Sequence, residues 1–287
     1  MPELPEAETI ANGVDRRVRG DAILGTWFSN YKEPFKTPQA ELARALEGMR
    51  IGRVCRVGKH IVVDLTQRGR MRRGSSPSRR DADPLNAKFL QLIVHLGMTG
   101  RLLVSSPEVP VPPHTHAVLS LASGRELRFV DARRFGRLAL QMDGAFAGPG
   151  HEPLTIGAEE FAELFRGRKL AIKAALLNQS LLHGVGNIYA DESLFRAKIR
   201  PTRRAGRLTR EELGRLRKGL QTVLQAAIRA GGSSVSDYVD ADGVEGFFQI
   251  QHRVYGREGE PCRVCGTPIR KIVLAGRGTH FCPHCQK

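Results

Sequence analysis

AVLSLASGRELRFVDARRFGRLALQ, residues 117–141, packs three short strand-like runs into one continuous stretch. Residues 117–121, 127–131 and 137–141 are rich in Val, Leu and Phe at lengths suited to strands, and Ser123-Gly124 supplies a turn between the first two. Residues 61–65 and 89–96 carry the same texture earlier in the chain. Runs of this kind, joined by turn residues, predict an antiparallel sandwich or barrel. Ahead of them Leu4, Ala7, Ile10, Ala11, Val14 and Val18 recur at helical spacing, so residues 3–18 read as a helix. Pro5 is tolerated there because the first helical turn has amides without intrahelical acceptors.

Two connections interrupt the strand-rich half. Residues 67–86 hold Arg68, Arg70, Arg72, Arg73, Arg79 and Arg80 among Gly, Ser and Pro, and read as a basic loop that is either a solvated insertion or a DNA contact. Residues 105–113 form a second, proline-rich connection. The segment GAFAGPGHEP, residues 144–153, then reads as a linker, and beyond it the period changes. Helices are predicted over 158–166, 172–182, 188–197 and 209–230. Thr209 with Glu212 forms a capping box at the start of the longest, and Gly231-Gly232 ends it. A polar segment, 233–245, leads to a cysteine-rich terminus, and no internal repeat is found.

The 287 residues suffice for one large domain or two ordinary ones, and 41% hydrophobic content suits a globular chain. The 45 Lys plus Arg outnumber 29 Asp plus Glu, giving +16. Such a surplus favours a polyanionic partner, although ribosomes and membrane surfaces also attract basic chains. No apolar run is long enough to span a bilayer and no signal peptide precedes the first helix, so a cytoplasmic location is expected and a membrane role is not.

Cys262-x-x-Cys265 and Cys282-x-x-Cys285 are separated by 16 residues. Two thiolate pairs close a tetrahedron around one zinc ion and leave no open position, which makes the expected site structural, a brace for a hairpin. Lys271, Arg277 and His280 lie between the pairs and could present positive charge to phosphate. Cys55 stands apart in an apolar stretch and reads as a small buried hydrophobe.

The opening Met1-Pro2-Glu3-Leu4-Pro5-Glu6 would expose a secondary amine beside two carboxylates once Met1 is removed. A neutral amine can attack a sugar C1′ and form an iminium ion that draws electrons for elimination. Glu3 and Glu6 could move protons. Taken alone, Pro and Glu at a helix start read first as ordinary capping chemistry.

MPELPEAET, Gly58-Lys59-His60, HLGMTGRL, DARRFG, GVGNIYADESLF, VYGREGEPCRVCGTPI and GRGTHFCPHCQ occur in that order from Met1 to Lys287. Together they closely resemble the bacterial formamidopyrimidine-DNA glycosylases of the Fpg/Nei family. The resemblance implies an α+β chain of two domains. An N-terminal helix lies on a two-layer antiparallel β-sandwich, and a helix–two-turn–helix domain carries the four-cysteine zinc finger. The corresponding expected division is 1–143, a linker at 144–153, 154–248 and the finger at 249–287.

The resemblance also implies roles. Pro2 matches the Schiff-base nucleophile, Glu3 the principal acid/base group, Glu6 a nearby carboxylate, Lys59 the residue of β-elimination and Arg277 that of δ-elimination. Met98, Arg133 and Phe135 match residues that fill the gap left by an everted base. His95, His114, Arg133, Arg168, Lys173 and Asn187 match DNA contacts, with Gly184-Val185-Gly186-Asn187 expected to offer amides to an anion. Glu192 is expected to orient Asn187 or a backbone group. Residues 233–248 match the loop that covers an oxidised purine.

A bifunctional glycosylase and β,δ-lyase acting on oxidised purines in damaged double-stranded DNA is therefore expected. By the same resemblance it should be a monomer with no organic cofactor. A relative that prefers oxidised pyrimidines, or a silent damage-binding protein, is the alternative; PELPE favours the purine branch and intact Pro2, Glu3 and Lys59 favour catalysis. A zinc-ribbon RNA-binding protein leaves PELPE and DARRFG unexplained. The arginine-rich insertion at 67–86 departs from the family pattern and leaves every catalytic match intact.

Overall fold

The computed structural model describes residues 2–67, 90–142, 144–234 and 241–287. The arginine-rich stretch beyond residue 67, position 89 of the predicted strand, and 235–240 of the polar segment lie outside the described residues. The chain divides into two compact units. Ala7–Ala147 makes up most of the first; the second comprises Glu3–Glu6, Gly148–Ser236 and Glu245–Lys287.

In chain order the first unit contains α1 (Leu4–Val18, of which the initial turn belongs to the second unit), β1 (Ile23–Phe28), α2 (Gln39–Leu46), β2 (Met49–Val57) and β3 (His60–Gln67). There follow β4 (Leu90–His95), β5 (Arg101–Ser105), β6 (Thr115–Leu121), β7 (Glu126–Val130) and β8 (Arg137–Gln141). They form two antiparallel four-stranded sheets, ordered β2-β3-β4-β8 and β1-β6-β7-β5. One core joins the sheets: Ile51, Ile61, Val63, Leu92 and Val94 from the first meet Ile23, Leu119, Leu127 and Phe129 from the second. Ile10, Val14 and Val18 of α1 and Leu42 and Leu46 of α2 complete it. Each fully buried Leu, Ile, Val or Phe contributes about 1.5–3 kcal/mol relative to exposure. The sandwich expected from residues 117–141 is thus observed, with β6, β7 and β8 covering the three runs.

α2 carries little sequence signal, since it places only Leu42 and Leu46 fully inside over eight residues. Arg128 is equally unmarked in the sequence. Its side chain is 1% exposed, and its guanidinium donates to the carbonyls of Ser106 (3.1 Å), Val109 (2.9 Å) and Pro110 (3.2 Å) and pairs with Glu126 at 2.7 Å. A strand arginine thereby anchors the proline-rich connection, and burial is tolerated because its donors are satisfied. Cys55 is half-buried opposite Val62, and burial pushes its thiol pKa up.

The second unit contains α3 (Ala158–Glu163), α4 (Ile172–Leu177), α5 (Asn187–Ala197), α6 (Arg210–Arg229), β9 (Arg270–Leu274) and β10 (Arg277–Phe281). α6 begins at the predicted capping box, with both reciprocal Thr209–Glu212 hydrogen bonds formed. It buries Leu213, Leu216, Leu220 and Leu224 against Leu194 and Tyr189 of α5 and Phe161 of α3. α4 stops at Leu177, short of the expected 182. Asn178 leaves helical geometry (ψ 106°) and its side chain takes the Ser180 amide at 3.0 Å, the competing turn chemistry of a short polar residue. α3 ends at Glu163 rather than 166. Gly148 and Gly150 lie so close to His183 and to the Gln179–Leu181 backbone that a Cβ would come within 2.4 and 2.5 Å of them. No helix among the described residues is long and apolar enough to cross a membrane.

Candidate active site

Pro2 is buried and immediately precedes a tightly held turn. The Leu4 amide donates to the Gly184 carbonyl at 3.0 Å, and the Glu3 carboxylate accepts the Ile188 amide at 3.1 Å and, at longer range, that of Tyr189 at 3.5 Å. These amides open α5, so the anion at this helix N-terminus is Glu3 itself. Within the preceding Gly184-Val185-Gly186-Asn187 turn, the Gly184 amide donates to the Gln179 side chain at 2.9 Å. Gly186 makes the approach possible, because a Cβ there would stand 2.1 Å from the Glu3 carboxyl carbon.

Glu6 is 2% exposed. Its carboxylate accepts the Glu3 amide at 2.8 Å, the Ser233 amide at 2.9 Å and the Tyr189 hydroxyl. Burial pushes its pKa up, against the opposing effect of those donors. Glu6 is therefore committed to holding the turn that carries Glu3. Tyr189, absent from the sequence reading although it lies inside GVGNIYADESLF, supplies one of the three bonds.

Lys173, Asn187 and Arg277 are gathered at β10. The Lys173 ammonium lies 2.7 Å from Asp191, 2.8 Å from the Thr279 hydroxyl and 2.9 Å from the Gly278 carbonyl. Asn187 donates to the same Gly278 carbonyl at 3.0 Å. Lys173 is 0% exposed with all three donors engaged, so its expected phosphate contact is replaced by an internal one. Burial lowers its pKa, opposed by Asp191. Arg277 itself is exposed at the start of β10. Its hairpin turns through Ala275 (φ 50°) and Gly276 (φ 71°), the two positive-φ residues that a type I′ turn requires. Arg168 is held elsewhere in this unit, against the Leu164 carbonyl (2.5 Å) and Gly206 (2.9 Å). Glu192, buried on α5, accepts the amides of Arg253, Val254 and Tyr255 at 2.8–2.9 Å, fulfilling the expected backbone-orienting role.

The Sγ atoms of Cys262, Cys265, Cys282 and Cys285 lie within 4.8 Å of one another. Cys265–Cys282 at 3.5 Å and Cys262–Cys285 at 4.0 Å are far beyond a disulfide bond of about 2 Å. They sit close to the spacing of about 3.8 Å that four thiolates take around a tetrahedral ion at roughly 2.3 Å. The donor set fits a metal ion.

In the first unit, a separate group forms where β4 ends. Lys59 occupies the β2–β3 turn, and His60 after it pairs in register with His95. The next turn presents Met98, 40% exposed, and packs against DARRFG: a Cβ on Gly97 would lie 2.5 Å from the Gly136 nitrogen. Phe135 is 49% exposed with the Arg133 guanidinium 4.8 Å above its ring. Asp131, wholly buried, holds both turns by accepting from Thr99 (2.5 Å), Arg133 (3.2 Å) and Gly136 (2.7 Å). It opens the DARRFG motif, yet its sequence position alone gives no sign of this role. The exposed His114 (φ 65°) lends its carbonyl to the Asp131 amide at 3.0 Å. Lys59, His95, Met98, His114, Arg133 and Phe135 therefore share one region of this unit.

Burial first, and then His60 and Lys59, depress His95 to about 4; in the second unit burial likewise depresses His252 to about 4. Both are neutral in the folded state at pH 7 and bind protons more readily once unfolded. Their contribution is complete above about pH 6.5 and is lost as pH falls toward 4, about 3 kcal/mol for each histidine over that range. Chemical denaturation at pH 7 and 5 should show a steeper acid loss for the wild type than for His95→Gln or His252→Gln. Equal slopes would remove this linkage.

Residues 1–138 match the family model of the formamidopyrimidine-DNA glycosylase N-terminal domain, 149–239 the H2TH domain of the same enzymes, and 259–287 a zinc finger found in FPG and IleRS. The chain is 42% identical over 289 residues to a formamidopyrimidine-DNA glycosylase of Solibacter usitatus, covering 100% of both. It is 41% identical to that of Symbiobacterium thermophilum, covering 100% of this chain and 89% of the relative. Among solved structures, the Lactococcus lactis Fpg in complex with DNA containing an abasic site superposes with a TM-score of 0.84 at 32% identity over 99% of both chains. The Thermus thermophilus MutM (FPG) protein gives 0.81 at 39% identity, over 99% of this chain and 98% of that one.

Proposed function

Because the chain belongs to the formamidopyrimidine-DNA glycosylase family, we propose that the Pro2 amine, freed by removal of Met1, attacks the sugar of an oxidised purine nucleotide in duplex DNA. The activity is that of a DNA glycosylase of base excision repair with an associated abasic-site lyase, and its partner is damaged DNA. The Pro2 nitrogen forms a bond to C1′ as the C1′–N bond to the base breaks. The departing base keeps the electron pair and takes up a proton. Glu3 transfers protons among amine, sugar and base.

The Pro2 nitrogen gives up its proton, the C1′–O4′ bond opens with its electron pair going to O4′, which takes up a proton, and the resulting iminium draws electrons from the C2′–H bond. Lys59 takes that proton and the C3′–O bond breaks, releasing one phosphate. Loss of a proton from C4′ and cleavage of C5′–O, with Arg277 at the phosphate, releases the second. Water then hydrolyses the iminium and restores the amine. The observation that carries this reading is the Glu3 turn: two α5 amides and a Cβ-free Gly186 fix a buried carboxylate one residue from Pro2. Glu6 holds that turn by accepting the Glu3 amide.

Met98, Arg133 and Phe135 fill the space of the everted base, a role suited to their exposure on turns braced by Asp131. His95, His114, Arg168 and Asn187 contact the DNA backbone. Cys262, Cys265, Cys282 and Cys285 hold one zinc ion, which when bound cross-links the hairpin and does no chemistry on substrate. The enzyme works in the cytoplasm on nucleoid DNA. Borohydride should trap a covalent adduct with 8-oxoguanine duplex faster than with 5-hydroxyuracil duplex. No adduct from protein of verified N-terminus would sink the catalytic reading, and the reverse preference would favour the pyrimidine alternative.

A further inference from the structure

Asp191 is fully buried on α5 and has no place in the reaction just described. One carboxylate oxygen pairs with Lys173 at 2.7 Å; the other accepts the His280 amide at 2.8 Å. Lys173 continues the chain to the Thr279 hydroxyl, and that hydroxyl donates to the Arg277 carbonyl at 3.1 Å. Lys173 and Asn187 also share the Gly278 carbonyl. Three successive residues after Arg277 are therefore fixed through groups on α4 and α5. Asp191 is the only anion paired with Lys173 among the described contacts.

We infer that Asp191 is a positioning residue for the δ-elimination step, setting the β10 backbone from which Arg277 projects. This rests on the reading of Arg277 given above. The Arg277 side chain is exposed and its hairpin turn contains a non-glycine residue at φ 50°, so its aim depends on how the following backbone is gripped. Asp191 never touches substrate. With Asp191→Asn the shape persists, but Lys173 loses its counter-charge and must find a new partner, which releases Thr279 and Gly278.

The test uses zinc-loaded full-length enzyme on a duplex with a preformed abasic site, comparing Asp191→Asn, Thr279→Val, Arg277→Ala and wild type. Thr279→Val breaks the link to Arg277 without leaving a charge partner missing, so it serves should Asp191→Asn fold poorly. Both variants should release β-product at close to the wild-type rate while the β,δ-product forms roughly tenfold to a hundredfold more slowly, the scale of a misplaced catalytic group. Borohydride trapping and metal content should stay at wild-type levels, and Asp191→Glu should recover part of the β,δ-product.

An unchanged product ratio in both variants, with Arg277→Ala still defective, overturns the inference alone. An unchanged ratio in Arg277→Ala overturns the reading of Arg277 and the inference with it. Parallel loss of metal, trapping and δ-elimination in Asp191→Asn and Thr279→Val would reduce Asp191 to a folding role and overturn the inference as well.

Discussion

Protein that keeps Met1, or any extension ahead of Pro2, is expected to form no borohydride-trappable adduct and to excise bases at least about a thousandfold more slowly than the processed enzyme. With Met1 attached, the Pro2 nitrogen is an amide whose lone pair is delocalised into the carbonyl, and Glu3 cannot restore its nucleophilicity by taking a proton. Fold and DNA binding should survive, since the turn is held by Leu4, Glu3 and Glu6 and not by Pro2. Intact mass, duplex binding and trapping measured on one sample separate these effects. Normal trapping from protein shown to retain Met1 would remove Pro2 as the nucleophile.

The second large effect is expected from the metal site. Cys262→Ser with Cys282→Ser, or prolonged chelation, should unfold the 259–287 region and weaken damaged-duplex binding by roughly a hundredfold, with δ-elimination lost. Among the described residues, the buried core around these cysteines contains only Phe195, Val254 and Ile269 besides Cys262 and Cys282, too little apolar surface to order the hairpin unaided. Arg277 then loses its support from β9. The first unit should remain folded, because among the described residues its core contains none from this region. Metal content, a two-step denaturation profile and duplex affinity check the expectation. Full affinity in metal-free protein would show that the cysteines do not organise the DNA-binding surface.

Much of the fold is legible because its signals are local. Short apolar runs on either side of Ser123-Gly124 anticipate β6 and β7, and Thr209 with Glu212 marks the start of α6. The predicted α4 is too long because Leu181 and Leu182 are buried outside a helix, and periodicity cannot distinguish that from a further turn. The buried Arg128 is invisible in sequence because its acceptors are carbonyls, which every residue carries.

The candidate site divides in the same way. Pro2, Glu3 and the four cysteines follow from motif order and spacing. Tyr189, Asp131 and Asp191 lie within recognised motifs, but nothing local separates a bracing residue from its neighbours. Lys173 is legible as a cation and expected at phosphate; only its burial beside Asp191 redirects it.

The sequence by itself determined the sandwich-forming pattern, the helical half, the metal-ligand set and the family resemblance, since each is written in residue order and short-range spacing. Tertiary structure alone decided which anion occupies the α5 N-terminus, what Glu6 holds and where Lys173 places its charge. Glu3 meets Ile188 across 185 residues of chain, and Lys173 meets Thr279 across 106. Partners that distant are selected by packing and by the need to satisfy every buried charge, and neither is encoded in any single stretch of sequence.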